Sequence, residues 1–230
     1  MRVDIWSDVV CPFCYIGKKR LEHVAEQAGI ELEVHWHSFE LDPNAPAKHE
    51  MSNTQRLAIK YGRSFEQMEE MERNIATMAA SEGIDFQWQQ AKSGNSFNAH
   101  RIIHLAQSKG LGNEAKEAFF HAYMTEGLAI GEREVVEEIA SRIGLDLAEV
   151  EFVLNSYELA DFVRHDEKIA HEQLNISGVP FFVFDQKLTL SGAQPSEVFL
   201  QALQQAQVQD SVAASTTATC NDEGCEIPPQ

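Results

Sequence analysis

In Ser7-Asp8-Val9-Val10-Cys11-Pro12-Phe13-Cys14-Tyr15-Ile16-Gly17, two cysteines stand two residues apart just past a short β-rich run, Val3 to Trp6. They open a segment in which Leu21, Val24, Ala25 and Ala28 recur at helical spacing until Gly29 stops it. A sulfur at the start of a helix meets unpaired N–H groups and the positive end of the dipole, which favour a thiolate. Cys11 is therefore the expected nucleophile. Cys14 lies about one turn further on, where it can displace a mixed disulfide as the resolving thiol. Pro12 suits the first helical position, where a missing N–H costs nothing. Half of a tetrahedral zinc site uses the same spacing, and placement directly after a strand favours redox chemistry over it.

Working outward, Leu32, Val34 and Trp36 alternate with Glu31, Glu33 and His35, which predicts a second strand within Ile30 to Phe39. Strand, helix and strand at this length imply a parallel pair with a right-handed crossover. Asp42-Pro-Asn-Ala-Pro46 breaks the pattern, and from Ser52 to Leu174 the chain reads as helical. Ser52 with Gln55, Ser64 with Gln67 and Asp146 with Glu149 have capping-box spacing. Met68, Met71, Ile75 and Met78 recur at helical steps and are expected to pack in the core, although a methionine stripe also suits an adaptable binding surface. Strand character returns in Val179 to Phe184 and Leu188 to Leu190, a hairpin, and a last helix is expected from Ser196 to about Ala206. That order predicts an α/β chain: a thioredoxin fold with a large inserted all-helical domain and a flexible C-terminal tail. The expected parts are 1–43 and 158–206 for the thioredoxin domain, 44–157 for the helical insert, and 207–230 for the tail.

Composition narrows the function. Eighteen Lys and Arg against thirty-six Asp and Glu give a formal charge of -18, which repels nucleic-acid backbones and anionic membranes. Met1-Arg-Val-Asp-Ile-Trp6 has no apolar signal region, and no window is long and apolar enough to span a bilayer, so a cytoplasmic location is expected. In a reducing compartment the four cysteines suit catalysis, redox sensing or metal binding better than structural cross-links.

Gly178-Val179-Pro180 supplies a second piece. A cis Val179–Pro180 bond lying against Cys11 is expected, because it presents extended backbone to a substrate peptide beside the thiolate.

Ser-Asp-Val-Val-Cys-Pro-Phe-Cys-Tyr-Ile-Gly-Lys at 7–18, Asn-Ala-His-Arg at 98–101 and Gly-Val-Pro-Phe-Phe-Val-Phe at 178–184 together resemble the FrnE-type branch of the DsbA-like thioredoxin superfamily, over about residues 1–206. The resemblance implies the inserted-helix thioredoxin fold and activity on protein disulfides. It also points to the kappa glutathione transferases and 2-hydroxychromene-2-carboxylate isomerases, which carry serine at the nucleophile position and use glutathione. Cys11 at that position favours redox work. Phe13 departs from the tryptophan common in the family. By resemblance, Asn98, His100 and Arg101 face the site, whereas from the residues alone Asn98 serves equally as a helix start and the other two as interdomain contacts. The substrate-binding set is thus Pro12, Phe13, Val179, Asn98, His100 and Arg101, and the catalytic set is Cys11, Cys14 and Pro180.

The tail, rich in Ser, Thr, Ala and Gln from Gln207 to Thr219, is expected to be a flexible linker to Cys220-Asn-Asp-Glu-Gly-Cys225. That pair can act as a second dithiol, as a regulatory local disulfide, as zinc ligands together with Cys11 and Cys14, or as an incidental feature of an acidic tail. The resulting expectation is a thiol-disulfide oxidoreductase, a reductase or isomerase, acting on disulfide-containing proteins. It needs no metal and no cofactor beyond its dithiols, and glutathione or another cellular thiol resets it. A glutathione-linked isomerase or transferase of small molecules is the alternative.

Overall fold

The structure is a computed structural model and describes residues 1–215. Strand β1 (Arg2–Ser7), helix α1 (Pro12–Ala28) and strand β2 (Glu33–Ser38) form the expected β-α-β unit. The strands are parallel, with Arg2 opposite Glu33 and Ser7 opposite Ser38. Gly29 ends α1 in the left-handed conformation (φ 66°), its N–H satisfying the carbonyls of Ala25 and Glu26.

Six helices follow: α2 (Asn53–Tyr61), α3 (Phe65–Ser81), α4 (Phe97–Ser108), α5 (Gly112–Met124), α6 (Arg133–Arg142) and α7 (Leu147–Asn155). Helix α8 (Ala160–Lys168), continued by a π-helical turn (Ile169–Gln173), leads back to β3 (Phe181–Phe184), β4 (Leu188–Ser191) and α9 (Ser196–Ser215). The sheet order is β2-β1-β3-β4, with β3 antiparallel to both β1 and β4. Ser52 and Ser64 each complete a reciprocal capping box with Gln55 and Gln67. Asp146 caps α7 in one direction only, because Glu149 reaches instead to Lys109 (2.7 Å).

One core runs through both parts of the chain. Val3, Ile5, Trp36, Phe182 and Phe184 on one face of the sheet are buried with Phe199 and Leu203 of α9 and with Phe119, Phe120 and Ile139 of the insert. On the other face Trp6 and Val183 pack with Phe39, Ala170 and Ile176. There Trp6 stacks on His37 (4.2 Å), whose ring nitrogens bond Asp166 (2.7 Å) and Asp4 (2.9 Å). Burial works against charge on His37, but the bonds to Asp166 and Asp4 overcome it and raise the imidazole to about 9. His37 is thus an ionised pin joining β1, β2 and α8.

Two expectations change. The methionine stripe divides: Met68 is fully buried, whereas Met71 and Met78 are exposed, because α3 covers only part of its apolar face. Helix α9 does not stop near Ala206 but continues to Ser215, so the segment from Gln207 expected to be a flexible linker is helical up to that point. Ala and Gln are strong helix formers, and a docked helix supplies the nucleus that an isolated segment lacks. Cys220 and Cys225 lie outside the described residues.

Candidate active site

Helix α1 carries both active-site cysteines to the end of β1, and both are buried free thiols. The Val179–Pro180 peptide bond is cis and lies against them, with the Cys11 thiol donating to the Val179 carbonyl across 3.7 Å. The close approach is possible because position 17 has no side chain: a Cβ there would meet Phe182 Cζ and Pro180 Cγ, each at 3.1 Å. Pro12 sits in the first turn of α1, where its missing N–H breaks no helical bond. With Phe13 it lines a cavity that opens beside Cys11.

A helix start alone predicts a lowered thiol pKa at Cys11, and the surroundings reverse it. Hydrogen bonding with Cys14 and burial push the Cys11 thiol up, the charge on the neighbouring sulfur adds to this, and the Asp8 carboxylate contributes further. The Cys14 amide pulls the other way without prevailing.

Beneath the sulfurs lies a set of buried charged groups. Asp8 accepts from the backbone N–H of Leu41 (2.8 Å) and Val10 (3.4 Å), and His100 Nε2 stands 3.5 Å from its Oδ1. Burial favours the neutral acid, yet His100 and the Leu41 amide hold Asp8 below the usual carboxylate range. Burial lowers His100, against the pull of Asp8, so the imidazole is neutral at pH 7. Lys116 on α5 is fully buried, donates to the Ser7 carbonyl (3.1 Å) and lies 5.2 Å from the Trp36 ring centroid and 5.3 Å from that of Phe120. Burial pulls its amine down to about 8 against the attraction of Cys14 and Asp8. The Asp8 carboxylate thus acts on Cys11, while the Lys116 amine interacts more strongly with Cys14 than with Cys11.

Asn98 and Arg101 bond each other and the end of α7 rather than the cysteines, as in the helix-start and interdomain reading of the motif at 98–101. Arg101 is buried and donates to the carbonyls of Val153, Ser156 and Glu158, tying α4 to the end of α7, while Asn98 accepts from its Nη1 (3.0 Å). The guanidinium satisfies carbonyls left open where α7 ends, a structural task. His100, one residue away on the helix, faces Asp8.

Sequence reasoning missed Lys116 and gave Asp8 no role. Lys116 is spaced with Gly112, Phe119, Phe120 and Tyr123, so it falls on the buried face of α5. A lysine within an apolar helical stripe is the signal that points to it. Among the described residues, no group of three or more His, Cys, Asp or Glu side chains is arranged to hold a metal ion.

A family model described as a DSBA-like thioredoxin domain matches residues 2–204. The chain is 27% identical over 206 residues to the uncharacterised protein YwbO of Bacillus subtilis, covering 88% of this chain and 96% of that one. It is similar to the crystal structure of a probable DsbA oxidoreductase from Streptomyces coelicolor, with a TM-score of 0.84, 38% identity and full coverage of both chains. A 2-hydroxychromene-2-carboxylate isomerase shares the fold at a TM-score of 0.66 and 17% identity, over 94% of this chain and 100% of that one.

Proposed function

Since the chain belongs to the DSBA-like thioredoxin domain family and is a thiol-disulfide oxidoreductase, we propose that it works as a net reductase or isomerase of protein disulfides in a reducing compartment. The nucleophile is Cys11, and Cys14 is the resolving thiol. The fold alone does not choose this chemistry, because an isomerase shares it. The observation that carries the reading is the pair of free thiols at the start of α1, with Cys11 Sγ 3.7 Å from the Val179 carbonyl beside Pro180.

In the forward direction, Cys11 loses its proton and the thiolate attacks one sulfur of a substrate disulfide. A mixed disulfide forms and one substrate thiolate leaves, taking up a proton from solvent. Cys14 then gives up its proton to solvent and attacks Cys11 Sγ. This releases the second substrate thiolate and leaves a Cys11–Cys14 disulfide. The substrate has gained two electrons and the enzyme has lost two. A cellular dithiol, or two molecules of a monothiol such as glutathione, returns them and is oxidised in turn.

The electrostatics favour the reducing direction. A thiolate stabilised near pH 7 favours the dithiol form and makes a pair oxidising. Burial, Cys14 and Asp8 remove that stabilisation from Cys11. The test is insulin reduction followed by turbidity with dithiothreitol, together with equilibration in glutathione buffers. Rapid precipitation that disappears in Cys11→Ser, and a pair more reducing than glutathione, are expected. Activity retained in Cys11→Ser would overturn the assignment.

A further inference from the structure

The thiol exchange just described leaves unused the cavity beside Cys11, which lies between the active-site turn and helices α2 and α3. Its volume is about 150 Å³, and Leu57, Met71, Ile75 and Phe86 are among the apolar residues of its wall. A dry apolar cavity of that order holds one benzene ring. That size suits a single side chain.

The polar groups in the wall are not equally engaged. Glu72 accepts from Asn53 (2.9 Å) and Thr54 (2.6 Å), and Asp8 is held by backbone amides. Arg56 differs: its Nη2 donates to Asn53 Oδ1 (3.0 Å), but its buried Nε has no hydrogen-bond partner. A buried donor left open is costly, and a ligand that accepts from it recovers that cost. Lys60 lies one turn further along α2, also lines the cavity, and makes no ion pair among the described residues. The wall also holds Asp8, Asp42 and Glu72, and Glu72 feels the charge of Arg56, so the open Nε of Arg56 and the Lys60 ammonium, 5.9 Å from the Tyr61 ring centroid, are the groups left to meet an acceptor carried beside an apolar side chain.

We propose that this cavity is a substrate side-chain pocket, which takes an aromatic residue flanking the cystine to be reduced while Arg56 and Lys60 hold an acidic residue next to it. The occupant is part of a protein substrate, since the Val179 carbonyl and Pro180 offer extended backbone on the other side of Cys11. The pocket would orient one of the two substrate sulfurs toward Cys11 and so decide which disulfides are attacked.

The proposal rests on the thiol-exchange reading, and the test separates the two. Symmetrical disulfides of short peptides containing Cys-Phe-Asp, Cys-Ala-Asp and Cys-Phe-Lys, with the reversed orders, are reduced by the full chain, and kcat/KM is compared. Hydroxyethyl disulfide, which has neither ring nor charge, is the reference. Phe over Ala is expected to give at least a ten-fold preference and Asp over Lys several-fold, in one of the two orders. Leu57→Trp, which fills the cavity, should collapse the first ratio, and Arg56→Gln the second. Wild-type protein that reduces hydroxyethyl disulfide but treats all the peptides within two-fold of one another overturns the pocket, with no appeal to variants. Ratios that survive both substitutions overturn it as well. Failure to reduce hydroxyethyl disulfide or any peptide would overturn the thiol-exchange reading itself, and the pocket with it.

Discussion

Helices α1 and α3 begin with the same spacing and opposite outcomes. At α3, Ser64 and Gln67 occupy the cap and third positions, and each accepts the other's backbone N–H at 3.1–3.2 Å. At α1 the same two positions hold Cys11 and Cys14, and the Cys11 thiol makes no capping bond to the helix-start amides, donating instead to the Val179 carbonyl. A capping box consumes the orphan donors of a helix start, and the dithiol leaves them for a sulfur that becomes charged during the reaction. Closed starts hold the fold together, while the uncapped one carries the two cysteines of the proposed exchange.

The strongest way to break this comparison is to close α1 as α3 is closed. Cys11→Ser should abolish turnover, by about a thousand-fold or more in insulin reduction. It should also add up to about 1 kcal/mol to stability in denaturant titration, because serine is a good cap. A variant that loses stability instead would show that the sulfur does more than occupy the cap.

Next in size is the fully partnered His37. Its folded pKa of about 9 lies above the ordinary value of 6.5, so its contribution is complete below pH 6.5 and disappears as pH rises through about 9. His37→Gln should cost on the order of 3 kcal/mol at pH 6 and little at pH 9.5, measured by unfolding at both pH values.

Asp8→Asn tests the open end directly. Thiol attack needs the thiolate, and with Cys11 raised the rate should keep climbing with pH above neutrality. Removing the carboxylate while keeping the amide-facing oxygen should move that profile to lower pH and raise the rate at pH 6–7 by up to about ten-fold. An unchanged profile would remove Asp8 from the control of Cys11. The smallest effect is expected from Ser64→Ala, which should cost about 1 kcal/mol in stability and leave kcat/KM alone.

What could be read from the sequence divides along a similar line. Both capping boxes, the strand alternation and the cysteine helix depend on residues within a few positions of one another, and periodicity reports them directly. The Val179–Pro180 loop was readable because proline restricts its own backbone. Lys116 was not, since its meaning depends on α5 folding over Ser7, more than a hundred residues earlier. The motif at 98–101 divides for the same reason: adjacent positions on one helix face different neighbours, so His100 meets Asp8 while Arg101 closes α7. The end of α9 was misjudged because Ser211 and the Ser and Thr from Ser215 onward suggest a linker, whereas the Ala and Gln before them sustain a helix already docked.

The missing side chain at Gly17 has a consequence of its own. Both halves of the site are built on rigid elements, α1 and the strand after Pro180, and their mutual clearance is set at this residue by the thickness of one methyl group. Gly17→Ala would act as a shim, touching neither sulfur yet wedging Phe182 and Pro180 away by a few tenths of an ångström. The tolerance of the active site is thus fixed two turns along the helix from the cysteine that reacts.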